Sequence, residues 1–319
     1  MIEKIILKMV SGSNLYGTNT ENSDKDFLGI FLPTKDFVFG LKRIEDYTEG
    51  SLHSKDEKGK NTKDAVDINL YELRKFIRLA LGCNPNIIEM LFVNDKNIIE
   101  TSDVFKILRE NKNKFLSKEH IISKFIGYAT AQEKKMVLKL SNYNLYKEFE
   151  KQYNFLTSNN LNIKDEFIIS LIEKNILDGL NLKIEKSCVK FADTHFQKHY
   201  TFYNCYKIVK ERLSKVGNRE ELILKYGYDT KFASHYIRLL EEGIELLETG
   251  NLIFPLKNAD FILDIKLGKL KIEDIIELGE EYKNKLREIE KNSKIKIKQD
   301  YNFIENLVIE IFENYYSNA

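Results

Sequence analysis

From Ser102 to the end, apolar residues recur with a helical period, and a single proline, Pro255, interrupts them. Proline is the residue least compatible with a helix interior. A chain so patterned folds its last two thirds as packed helices, each burying one stripe. The expected helices lie near residues 103–110, 117–140, 143–157, 163–179, 194–216, 219–225, 230–249, 258–266, 272–292 and 300–316. The first ~95 residues read differently. Residues 2–10, 26–32 and 65–70 are short apolar runs with the β-branched and aromatic content of buried strands. Residues 51–64 are polar and read as a loop. Residues 71–81 place Leu73, Phe76, Ile77, Ala80 and Leu81 on one helical stripe that stops at Gly82. The expected fold class is α+β: a small mixed-sheet core over residues 1–100, then a mostly helical domain over 101–319.

Charge excludes some functions. There are 50 basic and 49 acidic residues, so the chain is no strongly basic nucleic-acid coat and has no acidic tail. Residues 101–200 carry 17 basic against 12 acidic side chains, while 1–100 carry 14 against 16 and 201–319 carry 19 against 21. Only the middle third leans basic. Cys83, Cys188 and Cys205 lie far apart, with no paired spacing that suggests zinc or a disulfide framework. His195 and His199 fall four apart on an expected helix, but no carboxylate pattern beside them supports a metal pair. The first residues are broken by charge too early for a signal peptide, and no apolar run approaches a membrane span. The expected place is the cytoplasm, with no membrane partner.

The chemistry concentrates in Ser11-Gly12-Ser13-Asn14-Leu15-Tyr16-Gly17 and Ser23-Asp24-Lys25-Asp26-Phe27. Gly12-Ser13 ends an apolar strand and opens a helical turn, where a bare backbone can approach an anion. Asp24 and Asp26, two apart where the next strand begins, project to one face. Adjacent carboxylates repel unless a cation lies between them, and hard oxygen donors suit Mg²⁺ or Mn²⁺. Asp67, set among apolar residues of the 65–70 strand, joins them if that strand lies beside 26–32. Three carboxylates around divalent metal suit in-line nucleotidyl transfer, with Asp67 acting on the nucleophile.

The order Gly-Ser, Asp-x-Asp, late Asp resembles the DNA polymerase β superfamily of nucleotidyltransferases. The string GSNLYGTNTENSDKDFLGIFLP is similar to one branch of it, the RNA-repair-pathway polymerase-β-like proteins. Residues 66–92 (VDINLYELRKFIRLALGCNPNIIEMLF) resemble that branch's third-carboxylate strand and the helix after it. Residues 226–250 (YGYDTKFASHYIRLLEEGIELLETG) resemble its C-terminal helical signature. The resemblance touches most of the region from residue 7 to about 290, and residues 140–190 carry little of it. It implies a Mg²⁺- or Mn²⁺-dependent enzyme that binds ATP or another nucleoside triphosphate. Asp24, Asp26 and Asp67 would be its catalytic and metal-binding residues, and the helical domain would close the cleft.

Within residues 226–250, Lys231, His235 and Arg238 form one helical stripe behind Asp229, an expected N-cap. Opposite them lie Phe232, Tyr236, Leu239 and Leu240, a core-like stripe. The basic stripe suits a triphosphate and, with Gly12 and Ser13, makes the expected nucleotide-binding set. The alternative is a solvated face. Asn84-Pro85 reads as a helix start with Glu89 capping it. Arg74, Lys75 and Arg78 read as a solvated face. The leading expectation is transfer of a nucleoside monophosphate to a hydroxyl, an RNA end, with release of pyrophosphate. A protein acceptor, as in adenylylating toxin–antitoxin enzymes, is the second reading. A non-catalytic nucleotide or RNA sensor is the third, and it would predict loss of a carboxylate that is in fact retained.

Overall fold

The structure is a computed structural model describing residues 1–21, 23–50, 65–216, 220–292 and 297–317. The expected 51–64 loop lies outside the described residues. Two compact units emerge. One comprises Met1–Glu133 with Lys231–Ala319, and the other Lys134–Thr230. The functional split expected at residue 100 is therefore not the line along which the chain divides by compactness.

The first unit opens with β1 (Ile2–Ser11), α1 (Gly12–Tyr16), β2 (Lys25–Pro33), α2 (Lys35–Val38), β3 (Asp46–Gly50), β4 (Val66–Glu72), α3 (Leu73–Leu81), α4 (Pro85–Ile88), β5 (Ile98–Thr101) and α5 (Asp103–Glu110). The five strands form one mixed sheet in the order β3-β4-β2-β1-β5. β2 and β4 run parallel, and the other pairs are antiparallel. The two edge strands carry no strand pattern in the sequence, for one reason. β3 is almost wholly exposed and β5 mostly so, so neither shows the apolar alternation of a half-buried strand. Ile6, Leu7, Met9, Ile30, Phe31, Leu32, Leu73 and Phe76 supply the buried core between sheet and helices. α3 starts two residues later than expected, because the buried Glu72 side chain caps it by accepting from the Arg74 and Lys75 N–H groups at 3.0 and 3.2 Å.

α6 (Lys118–Asn159) is one unbroken helix where two were expected. The second unit continues with α7 (Ile168–Glu173), β6 (Leu182–Ile184), β7 (Cys188–Phe191), β8 (Thr194–Gln197), α8 (Phe202–Val216) and α9 (Glu220–Tyr226). The expected helices over 163–179 and 194–216 are corrected here. Only Ile168–Glu173 is α-helical in the first, and β8 takes the start of the second. Strands of three or four residues are too short to show a period of two, so the sequence of β6, β7 and β8 reads as helix and loop. They form an antiparallel sheet that buries Val189, Phe191 and Phe196 against Phe149 and Phe202. His195 and His199 therefore share no helix face, and His195 lies on β8. The chain then re-enters the first unit with α10 (Thr230–Thr249), α11 (Ala259–Lys266), α12 (Ile272–Asn292) and α13 (Tyr301–Ser317). No described helix is long and apolar enough to cross a membrane.

Candidate active site

The carboxylates meet where three neighbouring strands align. Ser11 of β1 pairs with Asp26 of β2, and Asp26 pairs with Asp67 of β4. In a parallel pair, partnered residues project to the same face. Asp24, one residue before β2, completes the group. One oxygen from each of Asp24, Asp26 and Asp67 lies within 4.8 Å of the others, and all three side chains are half-buried. Three hard donors at this separation fit a Mg²⁺-sized ion, which binds through one or two carboxylates and keeps waters for the rest of its shell. Burial raises the Asp26 pKa, and the charges of Asp24 and Asp67 push it the same way; Lys231 and Lys266 oppose them. The site concentrates negative charge that a cation would relieve.

The Gly12-Ser13 turn sits against this group. Gly12 has φ +63°, and a Cβ there would lie 2.3 Å from Oδ2 of Asp26. Glycine is required both by the left-handed backbone and by the carboxylate beside it. α1 closes at Gly17, also left-handed, whose N–H and that of Thr18 both bond to the Ser13 carbonyl. The Asn14 side chain donates to the Asp24 carbonyl at 3.0 Å, tying the turn to the first carboxylate.

α10 and α11 add charge. Lys231 is exposed on the first turn of α10, close enough to act on Asp26. His235 is half-buried one turn further along. Lys266, in the last turn of α11, is held by its ammonium donating to the Thr18 carbonyl at 2.8 Å. Burial lowers its pKa and nearby Lys231 lowers it further, while Asp24 and Asp26 raise it. Lys266 was not anticipated. A lysine at a helix C-terminus is an ordinary favourable placement, so nothing in the sequence marked it.

Arg238 requires a correction. Expected on the nucleotide-binding stripe, it is 3 % exposed. Its guanidinium donates to Glu89 Oε1 at 2.7 Å and to both Glu242 oxygens at 2.8 and 2.9 Å, and lies 4.1 Å from the Tyr16 ring centroid. The Tyr16 hydroxyl in turn donates to Glu89 at 2.8 Å. Burial would lower the Arg238 pKa, but Glu242, Tyr16 and Glu89 hold it above its ordinary value. Burial pushes Glu242 well up, and its carboxyl shares a hydrogen bond with Glu89. One guanidinium between two buried carboxyls leaves room for a shared proton. Buried and ion-paired to Glu89 and Glu242, Arg238 braces the back of α1 and is not exposed to a phosphate. Glu89 serves this cluster and not the cap expected of it. Arg74, Lys75 and Arg78 pair with Glu72, Glu45 and Asp46, as befits a polar face.

Residues 2–153 match the RNA repair pathway DNA polymerase beta family, RlaP. Over that stretch the chain is similar to this family. It is thus a nucleotidyltransferase of the polymerase β kind, and the matched stretch contains all three carboxylates and the Gly12-Ser13 turn. Lys231, His235, Arg238 and Lys266 lie beyond it. A 38.9 kDa protein from the nrdC-mobD intergenic region of Enterobacteria phage T4 is 27 % identical over 98 % of this chain and 99 % of its own length. The protein YcgL of Bacillus subtilis is 33 % identical over 88 residues, 28 % of this chain and 30 % of its own. Among solved structures, a nucleotidyltransferase-like protein from Exiguobacterium sibiricum aligns over 90 % of this chain and 69 % of its own at 10 % identity, with a TM-score of 0.25.

Proposed function

We propose that the chain transfers a nucleoside monophosphate from a nucleoside triphosphate to the terminal hydroxyl of an RNA and releases pyrophosphate. The observation that carries this reading is the convergence of Asp24, Asp26 and Asp67 within 4.8 Å, beside a glycine turn and two lysines. The three aspartates would hold Mg²⁺ or Mn²⁺. When bound, such an ion neutralises triphosphate charge and lowers the pKa of an attacking hydroxyl. Gly12 and Ser13 offer backbone N–H groups to the phosphates. Asp67, on β4 beside β2, which carries Asp26 and follows Asp24, orients the acceptor hydroxyl and receives its proton. Lys231 and Lys266 place positive charge where negative charge grows as pyrophosphate leaves, which stabilises the transition state more than the ground state. α10 and α11 are accordingly working walls of the cleft. The family's link with RNA repair and the basic lean of residues 101–200 favour RNA over protein as acceptor.

The test is incubation with each labelled nucleoside triphosphate and Mg²⁺ or Mn²⁺, with bulk tRNA, with a protein extract, or alone. Pyrophosphate release with label on RNA, absent from Asp26→Asn, is the expected result. Label on protein would move the acceptor to the second reading. Absence of pyrophosphate release under every condition would leave the non-catalytic sensor.

A further inference from the structure

The second unit carries a separate group of metal-ligating side chains. Glu185, in the turn between β6 and β7, Cys188 at the start of β7 and His195 on β8 each offer a ligand atom within 4.8 Å of the others. The register explains the meeting. Cys188 pairs with Gln197 and Lys190 with His195, so Cys188 and His195 are diagonal neighbours on one face. The alternate residues Val189, Phe191 and Phe196 are buried on the other face. A tight turn, closed by the Glu185 N–H bonding to the Cys188 carbonyl at 2.8 Å, brings the glutamate over the thiol.

We propose that Glu185, Cys188 and His195 form a site for a borderline-soft divalent cation of the Zn²⁺ kind, with water as fourth ligand. Three arguments carry it. The donor set is mixed sulfur, nitrogen and oxygen, which suits zinc and not magnesium. The Cys188 Sγ lies 3.5 Å from Glu185 Oε2. That matches the edge of a tetrahedron with Zn–S near 2.3 Å and Zn–O near 2.0 Å, which is about 3.5 Å. Glu185 and His195 are exposed, so an ion can reach them and the imidazole can turn to close the remaining edges. On binding, the Cys188 thiol gives its proton to solvent and the thiolate replaces its hydrogen bond to Glu185 with a bond to metal. The ion would clasp the β6–β7 turn to β8, reinforcing a sheet whose strands are only three or four residues long. The other two thiols are buried, and burial pushes Cys83 up to about 11 and Cys205 up to about 12. They do not compete for metal.

Co²⁺ titration of the full chain tests this, because a thiolate–Co²⁺ charge-transfer band cannot arise from the three aspartates. The expected result is a saturable band with one ion per chain. It should survive Asp26→Asn, be displaced by Zn²⁺, disappear in Cys188→Ser, and need at least ~10-fold more Co²⁺ in His195→Ala. Circular dichroism of both variants checks that they fold. No band in the parent protein, a band that survives Cys188→Ser, or a titration unchanged by His195→Ala would each overturn the site.

Discussion

Gly12 offers a substitution whose effects on stability and on activity come from different atoms. Gly12→Ala introduces two penalties. The first is local: an alanine at φ +63° costs roughly 1–2 kcal/mol in the left-handed region. The second is a collision, since the new methyl would sit 2.3 Å from Oδ2 of Asp26, 3.2 Å from its Cγ and 3.3 Å from its Cβ. Ordinary carbon–oxygen contact requires about 3.5 Å, so the carboxylate must retreat by about 1 Å. An aspartate side chain can do this without unfolding anything, but it takes one metal ligand out of register. A misplacement of that size near reacting groups costs on the order of 10²-fold in rate, about 2.7 kcal/mol of transition-state stabilisation. Gly250 provides the control. It has φ +68°, and a Cβ there meets nothing within 4 Å. Gly250→Ala carries the backbone penalty without the collision. Denaturant unfolding should show similar losses for both variants, whereas pyrophosphate release should fall about 100-fold only in Gly12→Ala. If Gly12→Ala keeps activity within a few-fold of the parent, or Gly250→Ala loses as much, the glycine is not there to admit the Asp26 carboxylate.

Asp26→Asn should abolish transfer yet leave the metal-free melting temperature unchanged or higher, because it removes one of three mutually repelling carboxylates; a large drop in melting temperature would give Asp26 a structural role instead. Lys266→Ala and Lys231→Ala should each lower kcat/KM by at least ~10-fold, with Lys266→Arg partly restoring it, and wild-type kinetics would remove the residue concerned from the cleft. Arg238→Ala should cost about 3–5 kcal/mol of stability by stranding Glu89 and Glu242, measured by denaturant unfolding, whereas loss of turnover at unchanged stability would return it to the phosphate. Glu242 is raised above its ordinary value near 4.5 by burial, so its contribution is fully present below that pH and is lost as pH rises through the folded-state value. The melting temperature of Glu242→Gln should accordingly decline less than the parent's as pH rises from about 4.5, and parallel profiles would refute the assignment.

The legible features were those that depend on near neighbours in the chain. The Gly12-Ser13 turn follows from a strand ending in glycine. The i, i+2 spacing of Asp24 and Asp26 sets their common face, and the stripe from Leu73 to Ala80 sets the buried side of α3. Even Asp67 was findable, because a carboxylate inside an apolar strand is conspicuous. Hydrophobic period and spacing are local quantities, and they determined the mixed sheet, the helical remainder and the carboxylate triad. Tertiary structure alone decided what distant charges do. Lys231 and Arg238 share a helical stripe, yet one is exposed near Asp26 and the other is buried, because only the second meets Glu89 from 149 residues away. Lys266 acquires its place from a carbonyl 248 residues distant. His195 meets Cys188 through the register of strands too short to announce themselves. A charged side chain carries no period that reveals its partner. Whether it faces solvent, a substrate or a buried acid depends on which elements the fold packs beside it.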